Sequence, residues 1–293
     1  MIVITGASGN IGSKIAANLL SQGQKIRCIA RTAEKLKRLE GMGAEIAAGS
    51  LDDTAFLTKA FLGADAVFAM IPPNYTAPDF RAYQNRIGAL IAEVIEKSAI
   101  KYVVNLSSQG ADLPGKTGPI KGLHDQEDRL NKLKGVNILH LRPTYFMENL
   151  FGNVEMIKKM NIMGSAIRGD MKFPMIATKD IALFASERLL KRDFSGTSVR
   201  DLLGQRDLSM NEAAKIIGNR INKPDLKYIQ VSYEDTDKAL TGMGLSEDMS
   251  RLIIEMSRAI NERLIMNTPR TKENTTDTSI EDFAEIFIKL IAA

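Results

Sequence analysis

The chain has 293 residues, of which 44% are hydrophobic, so it can bury a substantial core as one large domain with an appended lobe. Its net charge of +4 comes from 39 basic and 35 acidic residues spread along the chain, which excludes the basic block of a nucleic-acid-binding arm. An apolar strand begins at residue 1 and no apolar run reaches about 18 residues, so we expect a soluble, cytoplasmic protein without a signal peptide, a membrane span or a membrane partner.

The first twenty residues, "MIVITGASGNIGSKIAANLL", predict a strand, a tight turn and a helix. Residues 1–5 form a compact apolar run typical of a strand buried on both faces, and from Ile11 the apolar residues recur with a helical period. Gly6, Gly9 and Gly12 lie in the turn between them. Such a turn leaves the first N–H groups of the helix unpaired, so we expect it to bind an anion.

The same alternation of strand and helix continues to about residue 142. The predicted strands are "KIRCIA", "AEIAAG", "ADAVFAMI", "KYVVNLSS" and "VNILHLR", and the predicted helices are "AEKLKRLEGMG", "DDTAFLTKAFLG", "FRAYQNRIGALIAEVIEKSAI" and "GLHDQEDRLNKLKG". Helices of this length between strands indicate an α/β fold, a Rossmann-type doubly wound parallel sheet that binds ligands beyond the carboxyl ends of its strands. Cys28, the single cysteine, lies inside an apolar strand and is expected to be buried.

After about residue 150 the alternation weakens and helices with visible N-caps predominate, such as Ser209 before "AAKIIGNRI" and Ser279 before "IEDFAEIFIKLI". We therefore expect residues 1–150 to form the cofactor-binding domain. Residues 151–293 are expected to form a smaller, mainly helical lobe that covers the substrate, although part of this half can return to the edge of the sheet.

The glycine turn has the spacing G-x-x-G-x-x-G, and its place between the first strand and the first helix of a βα series predicts a dinucleotide site. A site for NAD places an acidic residue at the end of the second strand, whereas a 2′-phosphate requires cations. This chain has Arg31 there and Lys35 one helical turn later, which favours NADPH. The alternative is that both are solvated charges at a helix start.

Five segments together, "VITGASGNIG", "AGSLDD", "VFAMIPP", "VVNLSS" and "LRPTYFMENL", resemble the NmrA-like branch of the atypical short-chain dehydrogenase/reductase superfamily. The resemblance covers roughly residues 1–190. It implies a Rossmann domain that binds NADP and a small C-terminal lobe. It also implies one of two functions, since the family contains NADPH-dependent reductases of quinones and dyes and non-enzymatic proteins that sense NADPH.

The resemblance also implies where the cofactor lies. Ile71 and Pro72 end the fourth strand, where family members pass backbone along the ribose and nicotinamide. Ser107 and Ser108 end the fifth strand beside the expected nicotinamide, or they simply terminate the strand. The family commonly has an aspartate where this chain has Ser50. The residues expected at the cofactor are Gly6, Ser8, Gly9, Asn10, Ile11, Gly12, Arg31, Lys35, Ser50, Leu51, Ile71, Pro72, Ser107 and Ser108. No metal ligand is predicted.

The Tyr-x-x-x-Lys pair of typical short-chain dehydrogenases is absent, because none of the six tyrosines has a lysine four residues later. Instead, "KGLHDQEDRL" places His124 at the start of a helix, with Glu127 three and Asp128 four residues later. Several NmrA-like reductases carry a histidine and a glutamate four residues apart here. His124 can donate a proton while hydride arrives from NADPH, or it can hold the helix start through a neighbouring acid. His140 lies within a strand and is expected to be structural.

Two tyrosines, Tyr75 and Tyr145, lie near the expected mouth of the site and can sandwich a flat ring. Phe80, Phe146 and Met147 lie nearby, and for Phe146 and Met147 a role in the core is favoured. We expect an oxidoreductase with a small-molecule substrate, which reduces quinones, dyes or similar flat electrophiles by hydride transfer. The alternative is a regulatory protein that senses NADP(H) and binds a protein partner.

Overall fold

The structure is a computed structural model that describes residues 1–292. Its strands are β1 (Ile2–Ile4), β2 (Ile26–Ala30), β3 (Glu45–Ala48), β4 (Ala66–Ala69), β5 (Tyr102–Leu106), β6 (Asn137–Pro143), β7 (Tyr145–Phe146), β8 (Ile162–Ser165), β9 (Phe173–Ile176), β10 (Thr197–Leu202), β11 (Asp207–Leu208) and β12 (Lys227–Gln230).

Its helices are α1 (Gly12–Ser21), α2 (Lys37–Gly41), α3 (Thr54–Phe61), α4 (Phe80–Lys97), α5 (Lys121–Leu130), α6 (Val154–Met160), α7 (Thr178–Lys191), α8 (Met210–Arg220), α9 (Tyr233–Gly242), α10 (Glu247–Asn261) and α11 (Ile280–Ala292). Short 3₁₀ turns precede three of them, at Ala33–Leu36, Gly118–Ile120 and Met147–Asn153. None of the helices in residues 1–292 is both long and apolar enough to cross a membrane.

Seven strands form one sheet in the order β10-β6-β5-β4-β1-β2-β3, and every neighbouring pair is parallel. Helices cover both faces: α1 and α7 pack on one, and α3 and α4 on the other. Strands β2 and β3 follow β1 on one side of it, and β4, β5, β6 and β10 follow on the other side. The order in which strands are added therefore reverses beside β1. The prediction of a Rossmann-type doubly wound parallel sheet is confirmed.

The central strands are short and apolar because both of their faces are covered. All three residues of β1 and all four of β4 are buried, and α1 presents Ile15, Ala16 and Leu19 to the sheet. Cys28 in β2 is also buried, as predicted, and burial raises the pKa of its thiol to about 12. These apolar layers fix the carboxyl ends of β1 to β6 along one edge of the sheet, here called the carboxyl edge.

The second half of the chain contributes to two regions. Its strand β10 pairs with β6 at the border of the main sheet, while α8, α10 and α11 pack into a separate apolar core with two small sheets, β11-β9-β7 and β12-β8. Ser209 caps α8 in a capping box with Glu212, as its sequence pattern predicts. The smaller, mainly helical lobe is therefore present. The division at residue 150 stays a prediction.

Candidate functional site

The glycine turn lies at the carboxyl end of β1, at the centre of the carboxyl edge. Gly6 has φ +63°, and a side chain there would meet the Met70 sulfur 2.5 Å away, while a Cβ on Gly12 would collide with the Gly6 carbonyl. Gly9 donates its N–H to the Gly6 carbonyl, 2.9 Å away. Among the described residues, the N–H groups of Ser8, Asn10 and Ile11 have no partner. The turn therefore exposes donors beside the positive end of α1, which suits an anion.

Lys14 connects this turn to the second half of the chain. Its ammonium donates to the Asn10 carbonyl at 2.7 Å and to the Thr178 hydroxyl at 3.2 Å. The carboxylate of Glu148 accepts from the backbone N–H and the hydroxyl of the same Thr178. Burial lowers the pKa of Lys14, and attraction from Glu148 opposes this shift. Residues 164 positions apart thus hold the turn in place.

Cations without ion-pair partners follow β2. Arg31 and Lys35 are both exposed, and neither forms a salt bridge within residues 1–292. At the end of the adjacent β3, Ser50 is exposed and accepts a hydrogen bond from the Asp52 N–H, while Leu51 is buried. This part of the carboxyl edge can therefore receive a phosphate at Arg31 and Lys35 without breaking an internal ion pair.

The segment after β4 passes between the sheet and the C-terminal helices. Ile71 is half-buried in the core, and the Pro72 carbonyl accepts from the Tyr83 hydroxyl at 2.9 Å. Tyr75 is 51% exposed, and its carbonyl accepts from the Ser246 N–H just before α10. The Tyr75 ring is thus free to contact a ligand, while its backbone is anchored.

Three polar residues follow β5. Ser107 is buried and its hydroxyl donates to Glu127 Oε1 at 2.5 Å, whereas the half-buried Ser108 donates to the Gln109 carbonyl. Gln109 is 4% exposed, and neither atom of its amide has a hydrogen-bond partner within the described chain. Nothing in the sequence singles out Gln109, because a glutamine after a strand carries no local sign that it is buried.

A buried ionic group joins α5 to the sheet. Arg142, in β6, donates to both oxygens of Glu127, at 3.0 and 2.5 Å, and lies 3.6 Å from Asp112. Burial alone raises the pKa of Glu127, but the hydrogen bonds from Arg142 and Ser107 outweigh it and hold the pKa below its usual value. Glu127 is therefore a buried carboxylate that fixes α5 against the ends of β5 and β6.

His124 lies one turn before Glu127, toward the carboxyl edge. Its Nδ1 lies 2.7 Å from the Ala111 carbonyl, which can only accept, so Nδ1 carries a hydrogen. Its Nε2 lies 3.6 Å from Asp128, whose side chain is 62% exposed. Of the two acids that the sequence left open, Asp128 accompanies the histidine. Nε2 is the atom that can deliver a proton from the charged ring.

Tyr145 begins β7, directly beyond the end of β6. Its ring packs edge-on against Phe173, with centroids 5.5 Å apart, and its hydroxyl makes no hydrogen bond within residues 1–292. Burial raises the pKa of Tyr145, so the phenol stays protonated. No hydrogen bond or ring contact joins His124, Tyr75 and Tyr145 in the described structure. A cavity of about 260 Å³ lies beyond Phe173, but none of the predicted site residues lines it.

The remaining histidine and the aromatic and methionine residues near the site lie in the protein interior. His140 is fully buried between Asn105 and Asn131, at 3.0 and 2.8 Å, and burial lowers its pKa. Phe80 and Met147 are buried in apolar clusters, as is most of Phe146. Residues 1–292 contain no group of three or more His, Cys, Asp or Glu side chains arranged to hold a metal.

The groups along the carboxyl edge follow the order in which an extended dinucleotide would need them. From β3 to β6, the edge presents Ser50, the cations after β2, the free N–H groups after β1, the Ile71 segment after β4 and the polar residues after β5. Unpaired N–H donors thus lie centrally, cations on the β2–β3 side and neutral polar groups on the β5 side. These residues fit a dinucleotide of the NAD(P) type.

The sequence matches the NmrA-like family over residues 1–283. It is 26% identical over 295 residues to the NAD(P)H azoreductase of Xenophilus azovorans, and the alignment covers 100% of this chain and 98% of that protein. The triphenylmethane reductase of Citrobacter sp. has a similar fold, with TM-score 0.82, 18% identity and coverage of 98% and 99% of the two chains. The NADPH complex of an NADPH-dependent quinone oxidoreductase from Escherichia coli gives TM-score 0.80, 19% identity and coverage of 97% and 98%.

Proposed function

This chain belongs to the NmrA-like family, and from that premise we propose that it is an NADPH-dependent oxidoreductase that reduces quinones, dyes or similar flat electrophiles by hydride transfer. The observation that carries the proposal is the order of groups along the carboxyl edge, with free N–H groups at the glycine turn and unpaired cations after β2. The names of the matched proteins, which include an azoreductase, a quinone oxidoreductase and a triphenylmethane reductase, support the substrate class.

In this proposal residues 1–150 hold the cofactor. The N–H groups of Ser8, Asn10 and Ile11 bind the pyrophosphate, because Gly6, Gly9 and Gly12 leave the backbone uncovered there. Arg31 and Lys35 bind the 2′-phosphate. The segment Ile71–Pro72 and the residues Ser107 and Ser108 border the nicotinamide, and Ser50 and Leu51 border the adenine. When bound, NADPH supplies a hydride.

The substrate lies on the other side of the nicotinamide, under residues 151–293. Tyr75 provides an exposed ring, and Tyr145 provides a ring whose position is fixed by edge-on packing against Phe173. His124 delivers a proton from Nε2, while its Nδ1 hydrogen bond to Ala111 fixes the ring. A cationic dye takes up hydride without a proton, so for such an acceptor alignment by the aromatic rings supplies the rate enhancement, whereas a quinone or an azo dye also takes up the proton.

Replacing Arg31 with alanine tests the cofactor assignment. Removing a charged hydrogen bond to the 2′-phosphate is expected to cost about 1.5–3 kcal/mol of NADPH affinity and to leave NADH affinity nearly unchanged. Isothermal titration with each cofactor measures both. Lys101→Ala is a matched control, because this exposed cation precedes β5 at the opposite edge of the sheet. Equal losses for the two cofactors would show that Arg31 does not bind the 2′-phosphate.

A substrate panel tests the proposed class of reaction. The purified protein is mixed with NADPH and with a quinone, an azo dye, a triphenylmethane dye or an aldehyde, and the absorbance of NADPH is followed. We expect oxidation with at least one of the first three acceptors. Tight binding of NADPH without oxidation by any acceptor, together with a cofactor-dependent change in affinity for a protein, would instead identify a sensor.

A further inference from the structure

Gln109 is a buried amide with no internal partner. It is 4% exposed, and neither Nε2 nor Oε1 makes a hydrogen bond within residues 1–292. Leaving a buried amide unpaired destabilises a folded protein, and nearly all such groups find a partner. Among the described residues, Gln109 is the one buried side-chain amide with both polar atoms unpaired, so a group from outside the chain would satisfy it.

The backbone fixes which way Gln109 faces. The N–H groups of Ser107 and Gln109 donate to the carbonyls of Leu141 and Pro143, at 2.8 and 3.0 Å, so the backbone stays extended beside β6 as far as Gln109, where the chain turns. Residues two apart in a strand project to the same face. Since Ser107 meets Glu127 of α5, Gln109 projects to the α5 side as well, one step further out along the carboxyl edge.

On α5, the residue one turn closer to the carboxyl edge than Glu127 is His124. Moving two residues outward along a strand advances about 6.6 Å, and moving three residues back along a helix advances about 4.5 Å. Gln109 therefore lies at about the level of His124, which donates to the carbonyl of Ala111, two residues after Gln109. The loop residue Ile265 covers the adjacent Gly110, where a Cβ would lie 2.6 Å from its Cγ2. The orphan amide thus lies at about the level of the proposed proton donor, next to the Gly110–Ala111 segment that Ile265 covers and His124 holds.

The group that pairs with Gln109 must offer both a donor and an acceptor, because both atoms of the Gln109 amide are unsatisfied. A quinone carbonyl can only accept a hydrogen bond, so it cannot satisfy both atoms. The phosphates and riboses of the cofactor are assigned to other parts of the carboxyl edge, so they are not the partner either. The carboxamide of the nicotinamide ring offers one acceptor and one donor with the matching spacing. We infer that Gln109 binds this carboxamide through two hydrogen bonds and so fixes the rotation of the nicotinamide ring relative to His124. This inference rests on the proposed NADPH site.

The test compares NADP⁺ with its 3-acetylpyridine analogue, in which a methyl group replaces the amino group of the carboxamide. Affinities are measured by isothermal titration with the full chain, so no turnover is needed. We expect the wild type to bind NADP⁺ about tenfold more tightly than the analogue, the effect of one unpaired amide. We expect Gln109→Leu to bind NADP⁺ at least about tenfold more weakly than the wild type and to lose the preference.

Stability separates this role from a structural one. Leucine removes an unsatisfied amide and keeps a similar volume, so Gln109→Leu without cofactor should melt at or above the temperature of the wild type. Gln126→Leu is the matched control, because Gln126 is 1% exposed and its Nε2 is also unpaired, but it faces Gly88 of α4. This control should keep the preference for NADP⁺.

The inference is overturned if the wild type binds NADP⁺ and the analogue equally, a result that needs no variant. It is also overturned if Gln109→Leu keeps the preference, which would leave an ordered water as the partner of the amide. Failure of the wild type to bind NADP⁺ at all would refute the proposed function and the role of Gln109 together. Binding with no acceptor reduced would refute only the reductase proposal.

Discussion

Replacing His124 with alanine is expected to lower turnover about 10²- to 10⁴-fold and to leave NADPH affinity unchanged. The reason is that Nε2 delivers the proton on the substrate side, while the phosphates are bound at the glycine turn and at Arg31. Steady-state kinetics with the better of the quinone and azo acceptors measures the loss in kcat, because these acceptors take up a proton as well as a hydride, whereas a cationic triphenylmethane dye takes up hydride alone. Titration of NADPH and a thermal melt check cofactor binding and folding.

A second variant separates proton delivery from support of the helix. His124→Asn keeps a donor that can reach the Ala111 carbonyl but removes Nε2, so it should retain the stability of the wild type and show the same loss in kcat as alanine. A purely positional site gives a different pattern. If His124→Ala kept most of its activity while truncation of Tyr75 or Tyr145 abolished it, the site would align the reactants without a dedicated acid.

Replacing Glu127 with glutamine is expected to cost about 3 kcal/mol of unfolding free energy at pH 7, because the largely buried guanidinium of Arg142 loses its buried carboxylate partner and keeps only the exposed Asp112, 3.6 Å away. Urea unfolding of the two proteins measures the difference. Glu45→Gln is the control: it removes an ion pair with Arg27 in which Glu45 is 51% exposed, and such surface pairs contribute at most about 1 kcal/mol.

The pH dependence of this difference has a definite sign. Since the folded protein lowers the pKa of Glu127, the carboxylate stabilises the fold above the ordinary glutamate pKa of about 4.3, and the contribution is lost as the pH falls through the lowered folded value. The gap between wild type and Glu127→Gln should therefore be constant from pH 6 to 8 and shrink below about pH 4. A gap that is unchanged in acid, or no larger than that of Glu45→Gln, would contradict the buried ion pair.

The parts of the site that the sequence predicts are those with a local cause. The turn from Gly6 to Gly12 depends on residues that are adjacent in the chain, since the same glycines permit the turn and uncover the backbone. The position of Arg31 is predictable because it directly follows the apolar run of β2, whose end is visible in the sequence. The alternation of strand and helix likewise predicts the parallel sheet, because both periods are visible within single segments.

The parts that the sequence does not predict depend on distant residues. Lys14 reaches Thr178, and Glu127 reaches Arg142, through packing that no single segment encodes. For the same reason the partner of His124 stayed open until the structure placed Glu127 inward and Asp128 outward. The isolation of Gln109 is a property of everything around it, so it emerges only from the assembled fold.

The central claim is that hydride passes from NADPH to a flat electrophile, and a cationic triphenylmethane dye tests it most directly because the transferred atom stays on carbon. The protein is incubated with the dye and NADPH carrying two deuterium atoms at C4, and the reduced dye is analysed by mass spectrometry. The account predicts a reduced dye that is one mass unit heavier, and no such gain with ordinary NADPH in heavy water. A reduced dye that takes its deuterium from the solvent would contradict it, as would bound NADPH that reduces neither this dye nor the quinone and the azo dye of the panel.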